Sequence, residues 1–276
     1  MGIEKSLITV VIPVKDDPVN LRLCISRLAG IDQIVVVGSG ANDSSRSVAE
    51  EKSINYIEFE WDGKFPKKRN WILRNYAFQT DWVLFLDADE YVSKAFFDEL
   101  NDVLSRTSHV GFWLNYDNYF MGKRLHYGDP SPKLALFRIG AGEYEQINED
   151  SWSHLDMEVH EHPVLVGSVG AIKTPIEHKD YRGLAHWIIK HNDYSDWEAN
   201  RYLRLLDGGE NAWKKLTPRQ RTKYRHIVKW WFPFVYFCGV FFYKKGILDG
   251  VVGFRLSLMK SWYFYTVRLK ILELLK

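Results

Sequence analysis

The chain has 276 residues, of which 46% are hydrophobic, and its formal net charge is +2. This length suits one α/β domain of roughly 180–200 residues with a smaller appendage, and the nearly balanced charge excludes the basic character of nucleic-acid-binding proteins. The two cysteines, Cys24 and Cys238, lack metal-ligand spacing, and the first residues do not have the pattern of a signal peptide. We therefore expect a cytoplasmic protein without disulfides.

Residues 7–105 alternate between strand and helix patterns. Runs of β-branched and other apolar residues predict strands at 7–14, 33–38, 54–60 and 82–89. Helical spacing predicts helices at 18–29, 44–52, 66–78 and 94–104, with Asp17, Asp43 and Ser93 as N-caps. This alternation predicts an α/β fold with a mostly parallel sheet and right-handed crossovers.

The pattern changes after residue 109. Three segments predict short strands: 110–127, 134–139 and 158–172. Beside the mostly parallel sheet we expect a small second sheet. An amphipathic helix pattern over 183–206 then ends at Gly208 and Gly209. We therefore expect one domain over 1–182, with halves at 1–105 and 106–182, and a helical region over 183–276.

The last fifty residues are rich in aromatic and basic side chains. The apolar run 226–246 is interrupted by Lys229 and Pro233, and it is shorter than a helix that spans a bilayer requires. The final stretch mixes Trp, Tyr, Phe and Leu with Arg255, Lys260, Arg268, Lys270 and Lys276. This composition is typical of a helix that lies in the bilayer interface. The alternative is a helical pair that packs on its own domain or on a second subunit of a homo-oligomer.

Polar residues follow each predicted strand of the first half. They are Lys15-Asp16-Asp17, Gly38-Ser39-Gly40, Glu60-Trp61-Asp62 and Asp87-Ala88-Asp89. Ligands bind beyond this edge of open parallel sheets, and acids gathered there repel one another unless a cation or ligand compensates them. Asp87 and Asp89 are two residues apart, so on an extended segment both point the same way and suit Mg²⁺ or Mn²⁺. A solvated strand end is the alternative.

Four stretches, in this order, resemble the successive N-terminal motifs of family-2 glycosyltransferases, which have the GT-A fold. They are "TVVIPVKDDPVNL", "IVVVGSGANDSS", "KKRNWILRN" and "WVLFLDADE". More loosely, "VHEHP", "PIEHKDY" and "KGILDGVVG" look like the branch that includes lipopolysaccharide-core and capsule glycosyltransferases. The resemblance implies that residues 1–105 bind a nucleotide-diphosphate sugar and that 106–182 face a glycan acceptor, with inversion at the anomeric carbon. The Gln-x-x-Arg-Trp motif of processive members is absent, which implies transfer of a single sugar.

The resemblance also implies roles for individual donor-site residues. Asp89 would bind the metal, Asp87 would contact the nucleotide ribose, and Arg69 with Asn70 would lie beside the nucleotide. The other donor-binding positions would be Pro13, Asp16, Asp17, Gly38 and Ala88. The family usually has Asp where Gly38 stands, and that Asp commonly contacts the base. Either Asp16 or Asp17 replaces this carboxylate, or the donor nucleotide is not UDP.

Inversion requires a general base that deprotonates the acceptor hydroxyl. The matching element is "EVHEHP", in which Glu161 is the candidate base beside His160 and His162. Glu158 and Asp156 are the alternatives.

His160 and two further groups are candidates for contact with the diphosphate or the acceptor. His178 would reach the diphosphate or the metal, with Lys179 and Tyr181 as alternatives. Lys190 and Tyr194 share a helix face because they are four residues apart, and they are candidates for the acceptor side.

The combined expectation is a metal-dependent enzyme on the cytoplasmic face of the inner membrane, which acts on a lipid-linked acceptor. One rival is a sugar-nucleotide-forming nucleotidyltransferase, but such enzymes carry a glycine-rich basic loop after the first strand, and "PVKDDPVN" has no glycine. The other rival is an inactive glycan- or nucleotide-binding protein on the same fold. Asp87, Asp89 and Glu161 argue against it.

Overall fold

The computed structural model describes residues 7–128, 131–147, 149, 152–158 and 162–276. The chain divides into two compact units. The sheet unit contains the described residues up to Tyr119 and those from 131 to Tyr181. The helical unit contains residues 120–128 and Arg182–Lys276.

Strands and helices follow one another in the order that the sequence pattern predicts for the first half. The strands are β1 Ile8–Pro13, β2 Ile34–Ser39, β3 Asn55–Phe59, β4 Trp82–Phe85, β5 Glu90–Tyr91, β6 Gly111–Phe120, β7 Lys123–Arg124, β8 Lys133–Arg138, β9 Gly142–Tyr144, β10 Pro163–Leu165 and β11 Val169–His178. The helices are α1 Pro18–Ser26, α2 Arg46–Glu51, α3 Lys68–Asn75, α4 Lys94–Leu104, α5 Gly183–Asp207, α6 Gly209–Lys214, α7 Pro218–His226, α8 Phe232–Cys238 and α9 Gly250–Leu274. A π-helix over Gly239–Tyr243 and a 3₁₀-helix over Gly246–Asp249 connect α8 to α9.

The large sheet has the strand order β3-β2-β1-β4-β8-β6-β11-β5. Strands β3, β2, β1 and β4 pair in parallel, as the alternation of strands and helices predicts. Strand β8 runs antiparallel to β4 and β6, while β6 and β11 are parallel. A small second antiparallel sheet is present as expected, and it consists of β9 and β10. The strands of the predicted segments 110–127 and 134–139 instead belong to the large sheet. All six residues of β1 are buried, so this central strand is covered on both faces.

Two of the three predicted N-caps are confirmed. The side chain of Asp17 accepts from the Asn20 amide over 3.2 Å, and that of Ser93 accepts from the Phe96 amide over 3.2 Å. Asp43 does not cap α2, because the helix begins only at Arg46. Its carboxylate instead accepts backbone N–H groups of Ser39, Asp16 and Ser45, over 2.9, 3.1 and 2.8 Å. Asp43 therefore ties the loop after β2 to the loop after β1.

A buried lysine at the start of α3 joins the ends of β1 and β2. The Lys68 ammonium donates to the Val14 carbonyl over 2.7 Å and to the Ser39 hydroxyl, and it lies 3.2 Å from the Asp156 carboxylate. Lys68 is 1% exposed. Burial lowers the pKa of this ammonium, whereas the neighbouring Asp156 opposes that shift.

The helical unit has its own core. It is built chiefly where α5 packs against α9, and its buried side chains include Ala199, Tyr202, Leu205, Tyr263, Phe264, Val267 and Ile271. A smaller cluster of Phe120, Leu125, Val252 and Leu256 continues the packing. In the part of the chain that the structure describes, no helix combines the length and the apolar character that crossing a bilayer demands.

Replacement of Lys68 by Met should destabilise the sheet unit. The change leaves the Asp156 carboxylate in its largely buried position without this cation, and we expect a loss of about 3 kcal/mol in the free energy of unfolding. Urea denaturation at neutral pH measures this loss.

Lys64→Met, at an exposed position four residues earlier, is the matched control and should change the stability by less than about 0.5 kcal/mol. The double variant Lys68→Met/Asp156→Asn should recover part of the loss. Equal stability of the two lysine variants would contradict the role of Lys68.

Candidate active site

The acids after β4 lie in a turn, not on an extended strand. Strand β4 ends at Phe85, the Glu90 amide donates to the Asp87 carbonyl over 2.9 Å, and β5 begins at Glu90. The expectation that the strand continues to residue 89 and that Asp87 and Asp89 point the same way is therefore wrong. The turn gives the two carboxylates different partners.

Asp89 faces His178 because β5 pairs antiparallel with the end of β11. The Asp89 carboxylate Oδ2 lies 3.5 Å from His178 Nε2, and Asp89 is 4% exposed. The other imidazole nitrogen, Nδ1, lies 2.9 Å from the side-chain oxygen of Asn118. An amide oxygen only accepts, so Nδ1 carries a proton. Nε2 then faces a carboxylate oxygen, and a metal ion bound by both atoms would stabilise this arrangement.

Asp89 and His178 would supply only part of a metal's coordination shell. Among the residues that the structure describes, no group of three or more His, Cys, Asp or Glu side chains could hold a metal ion. Oxygen atoms of a bound diphosphate and water are suitable further ligands for Mg²⁺ or Mn²⁺. The donor set therefore fits a metal that binds together with its nucleotide.

Asp87 is held between two cations. Its Oδ1 accepts from the Arg69 guanidinium over 2.6 Å, and its Oδ2 accepts from the Lys133 ammonium over 2.7 Å. Burial by itself would raise the pKa of Asp87, but Lys133 and Arg69 more than offset this and hold the pKa well below its ordinary value. The carboxylate is therefore ionised and fixed in orientation.

Lys133 and Glu90 complete this network, and neither has a role in the sequence-based hypothesis. Glu90 is fully buried, pairs with Lys133, accepts from the Asp87 amide over 3.1 Å, and lies 3.4 Å from the Tyr116 hydroxyl. Burial raises the pKa of Glu90, whereas Lys133 opposes that shift. Lys133 begins β8, which lies beside β4 in the sheet. In the sequence, the role of Lys133 is indicated only by its position at the start of an apolar strand, and this position does not identify Asp87 and Glu90 as its partners.

Glu158 caps the N-terminus of α3. Its two carboxylate oxygens accept from the backbone amides of Arg69 and Asn70, each over 3.0 Å. A carboxylate at this position compensates the exposed amides and the positive end of the helix dipole. Both carboxylate oxygens of Glu158 are used by this cap, and Asp156 is paired with Lys68 and Ser39. Both alternatives to Glu161 as the general base therefore have structural partners.

Asn70, predicted to lie beside the nucleotide, is bonded to the backbone of β9. Its side-chain nitrogen donates to the Tyr144 carbonyl over 2.9 Å, and its side-chain oxygen accepts from the Tyr144 amide over 2.8 Å. Asn70 is fully buried. These bonds fix α3 against the small sheet and thereby place the neighbouring Arg69 beside Asp87.

The loop after β1 is organised around Asn20, another residue without a role in the sequence-based hypothesis. Its side chain donates to Asp17 and to Asp180, over 2.9 Å each, and accepts from the Tyr91 hydroxyl over 3.0 Å. It also accepts from the Tyr181 amide over 3.1 Å. Asn20 therefore connects this loop to β5 and to the segment after His178.

The predicted nucleotide contacts of the first loop differ in exposure. Asp17 is 3% exposed and serves as the cap of α1. Asp16 is exposed, has a φ of 48°, and accepts from the Ser44 amide over 3.2 Å. Asp16 is therefore the more accessible of the two carboxylates.

Gly38 lies against a tyrosine hydroxyl. A Cβ atom on residue 38 would be 1.8 Å from the Tyr56 hydroxyl oxygen. This hydroxyl is buried and has no hydrogen-bond partner among the described residues. Burial, with a smaller effect from Asp43, raises the pKa of Tyr56 to about 12, so its proton is retained at neutral pH. Tyr56 thus occupies the space that a side chain on residue 38 would need.

The other residues that the sequence predicts for the site lie in different parts of the structure. Pro13 ends β1 opposite Val37, and Ala88 is buried in the turn after β4. Tyr181 is 51% exposed, with its ring centroid 4.6 Å from the Lys179 ammonium. Lys190 belongs to the helical unit, where its ammonium is 5.9 Å from the Tyr194 ring centroid. Glu161 and His160 lie outside the described residues.

Comparison with known proteins shows the family to which this chain belongs. The family model described as glycosyl transferase family 2 matches residues 9–154, more than half of the chain. The chain belongs to this family. The glycosyltransferase contains the four resembling motifs within the matched residues, and the match ends shortly before the element that carries Glu161.

Curated relatives extend the similarity over nearly the whole enzyme. The lipopolysaccharide core biosynthesis glycosyltransferase LpsC of Rhizobium meliloti is 24% identical over 266 residues, which cover 92% of this chain and 87% of LpsC. An uncharacterized glycosyltransferase of Rickettsia conorii is 23% identical over 252 residues, with coverage of 87% and 80%.

A solved structure is also similar. It is glucosyl-3-phosphoglycerate synthase from Mycobacterium tuberculosis in complex with Mn²⁺, UDP and phosphoglyceric acid, at 20% identity and a TM-score of 0.31. The match covers 42% of this chain and 44% of that chain.

We predict a strong energetic coupling between residues 38 and 56 of the glycosyltransferase. Gly38→Ala should lower the free energy of unfolding by about 2 kcal/mol, because the added methyl group overlaps the Tyr56 hydroxyl. In a Tyr56→Ala background, the same glycine substitution should have an effect below about 0.5 kcal/mol. Urea denaturation of the four proteins of this cycle tests the contact, and an equal effect in both backgrounds would contradict it.

Proposed function

We propose that this family-2 glycosyltransferase transfers a single sugar, with inversion and with a divalent metal, to a lipid-linked glycan acceptor. The observation that carries the metal-dependent part is the pairing of Asp89 with His178 beyond the end of β4. Membership of the family establishes sugar transfer from a nucleotide sugar as the reaction. The proposal assigns this chain's own groups to the steps of that transfer.

Asp89 and His178 are the residues that would hold Mg²⁺ or Mn²⁺. A carboxylate oxygen and an imidazole nitrogen are both suitable ligands, and the Asn118 contact orients the imidazole so that Nε2 faces Asp89. When bound, the ion would neutralise the negative charge that develops on the diphosphate as the sugar leaves.

Asp87 and Arg69 would bind the nucleotide beside the metal. Asp87 is ionised and has lone pairs beyond those used by its two cations, so it can accept hydrogen bonds from ribose hydroxyls. Arg69 adds a fixed positive charge, and its buried Nε has no hydrogen-bond partner among the described residues. Both groups are positioned before a nucleotide binds, which reduces the cost of ordering them.

Glu161 is proposed as the general base. Direct displacement with inversion needs a group that takes the acceptor proton on the face opposite the leaving diphosphate. One support is its position in "EVHEHP". The other is that both alternative bases have structural roles: Glu158 caps α3, and Asp156 pairs with Lys68.

The acceptor is proposed to be a glycan on a lipid, in lipopolysaccharide or another cell-surface polysaccharide. The support is the similarity to a relative that is named for lipopolysaccharide core biosynthesis and the aromatic and basic composition of residues 226–276.

Asp89→Asn should weaken Mn²⁺-dependent nucleotide binding by at least about tenfold, since a metal ligand is lost. His178→Gln should have an effect in the same direction. Calorimetric titration of a panel of nucleoside diphosphates, with and without Mn²⁺, measures both changes. Asp98→Asn, on the exposed side of α4, is the control. Unchanged affinity of the Asp89 variant in Mn²⁺ would refute the metal role.

Glu161→Gln should retain nucleotide binding but reduce sugar transfer by about a hundredfold or more, because the amide cannot accept the acceptor proton. Glu158→Gln serves as the comparison: it should lower the melting temperature by weakening the α3 cap, an effect that the Glu161 variant should lack. Sugar transfer at the wild-type rate by Glu161→Gln would move the base to another residue.

A further inference from the structure

Large apolar side chains are unusually exposed on the C-terminal helices. In the segment from α8 to the start of α9, Phe234, Phe242, Tyr243 and Val251 are 67%, 57%, 87% and 65% exposed. Single exposed apolar residues are normal on a monomer, but a contiguous patch of them marks a surface that something covers.

Helix α9 has two apolar faces. Val252, Leu256, Tyr263, Val267 and Ile271 are buried in the cores of the helical unit. A second stripe is exposed, with the spacing of one helix face: Val251, Phe254, Leu258, Tyr265, Leu269 and Leu272. Packing in the core therefore explains the apolar residues on one face of α9, but it does not explain those on the other.

Aromatic contacts join the exposed stripe to the π-helix region. The ring centroids of Phe237 and Phe241 lie 5.8 and 5.7 Å from that of Phe254, and Phe241 contacts Phe242 at 4.9 Å. We call Phe237, Phe241 and Phe242, together with the exposed α9 stripe, the aromatic face. It runs from the end of α8 along α9.

The segment that carries the aromatic face is rich in cations, one of which, Lys270, pairs with Asp196. Between residues 226 and 272 the sequence has seven Lys or Arg residues and one acid, Asp249. The Asp249 carboxylate accepts the backbone amides of His126 and Tyr127, over 2.9 Å each. Lys229, Lys245 and Arg255 are exposed. An apolar face with exposed cations and aromatic rings is complementary to a surface that is apolar inside and negatively charged outside.

We propose that the aromatic face binds the surface of an anionic lipid bilayer, with α9 lying in the interface and the exposed lysines and arginine at the lipid phosphates. A symmetric dimer through the same face would bring its cations toward their copies, which like-charge repulsion disfavours. Lipid phosphates neutralise the same cations. The inference rests on the proposed function only in that a lipid-linked acceptor would be found at such a surface.

Vesicle sedimentation of the full chain tests this inference. The wild type should bind vesicles of phosphatidylcholine with phosphatidylglycerol, and binding should fall in high salt and on phosphatidylcholine alone. The triple variant Phe242→Ser/Val251→Ser/Leu258→Ser should bind at least about tenfold more weakly, because it removes apolar area from the face.

A matched control substitutes three apolar residues outside the face that are somewhat more exposed: Val164→Ser/Val166→Ser/Ile189→Ser, at positions 65%, 85% and 61% exposed. It should bind vesicles within about twofold of the wild type. Lys229→Gln/Arg255→Gln should bind anionic vesicles about 25-fold more weakly, since each cation near the surface contributes about fivefold.

The outcomes separate the docking proposal from the proposed function. Mn²⁺-dependent nucleotide binding, measured without vesicles, should be the same in all these variants. If the wild type lacks this binding, the metal-dependent function is refuted, while the vesicle measurements still decide whether the aromatic face binds lipid. A wild type that does not bind anionic vesicles, or a triple variant that binds like the wild type, overturns docking. A wild-type dimer that the triple variant dissociates, together with no vesicle binding, assigns the face to a second copy of the chain.

Discussion

Carboxylates gathered beyond the ends of parallel strands repel one another, and in this protein cations from other elements hold them in place. Lys133 lies between Asp87 and Glu90, Arg69 binds the other side of Asp87, and Lys68 pairs with Asp156. Because a buried or half-buried carboxylate without its cation would be unfavourable, each pair fixes two elements relative to each other. The sheet edge beyond β4 is therefore a set of compensated charges.

This network divides the acids of the β4–β5 turn into different chemical roles. Asp87 is ionised and oriented by two cations, Glu90 is buried and anchors one of them, and Asp89 faces an imidazole. The Asp89–His178 pair is the part of the edge whose charge balance suits an added cation. The tight turn after Phe85 places the three acids in these different environments.

The helical unit follows another physical principle. Its core uses one face of α9, while the opposite face has apolar residues at helical spacing that remain in contact with solvent. Apolar surface of this extent is unfavourable in water, and the surrounding cations limit which partner can cover it. The proposed membrane contact explains the aromatic and the basic residues together, whereas packing alone explains only the aromatic ones.

Local sequence patterns predicted much of the fold. The buried run of β1, the alternation of strands with helices, and the caps Asp17 and Ser93 are all properties of neighbouring residues, and the structure confirms them. The position of Asp87 and Asp89 at a strand end is likewise visible in the sequence. The error at Asp43 arose because an acid before a helix can equally bond the backbone of a neighbouring loop.

The sequence by itself determined the order of the elements, the family motifs and the residue types available at the sheet edge. Only the tertiary structure decided which groups meet there. Lys133 reaches Asp87 across 46 residues, and Asn20 reaches Asp180 across 160. Likewise, Gly38 is required by Tyr56 on the neighbouring strand. The physical reason is that periodicity and capping report interactions within a few residues, whereas charge pairing and close packing depend on which strands become neighbours in the sheet.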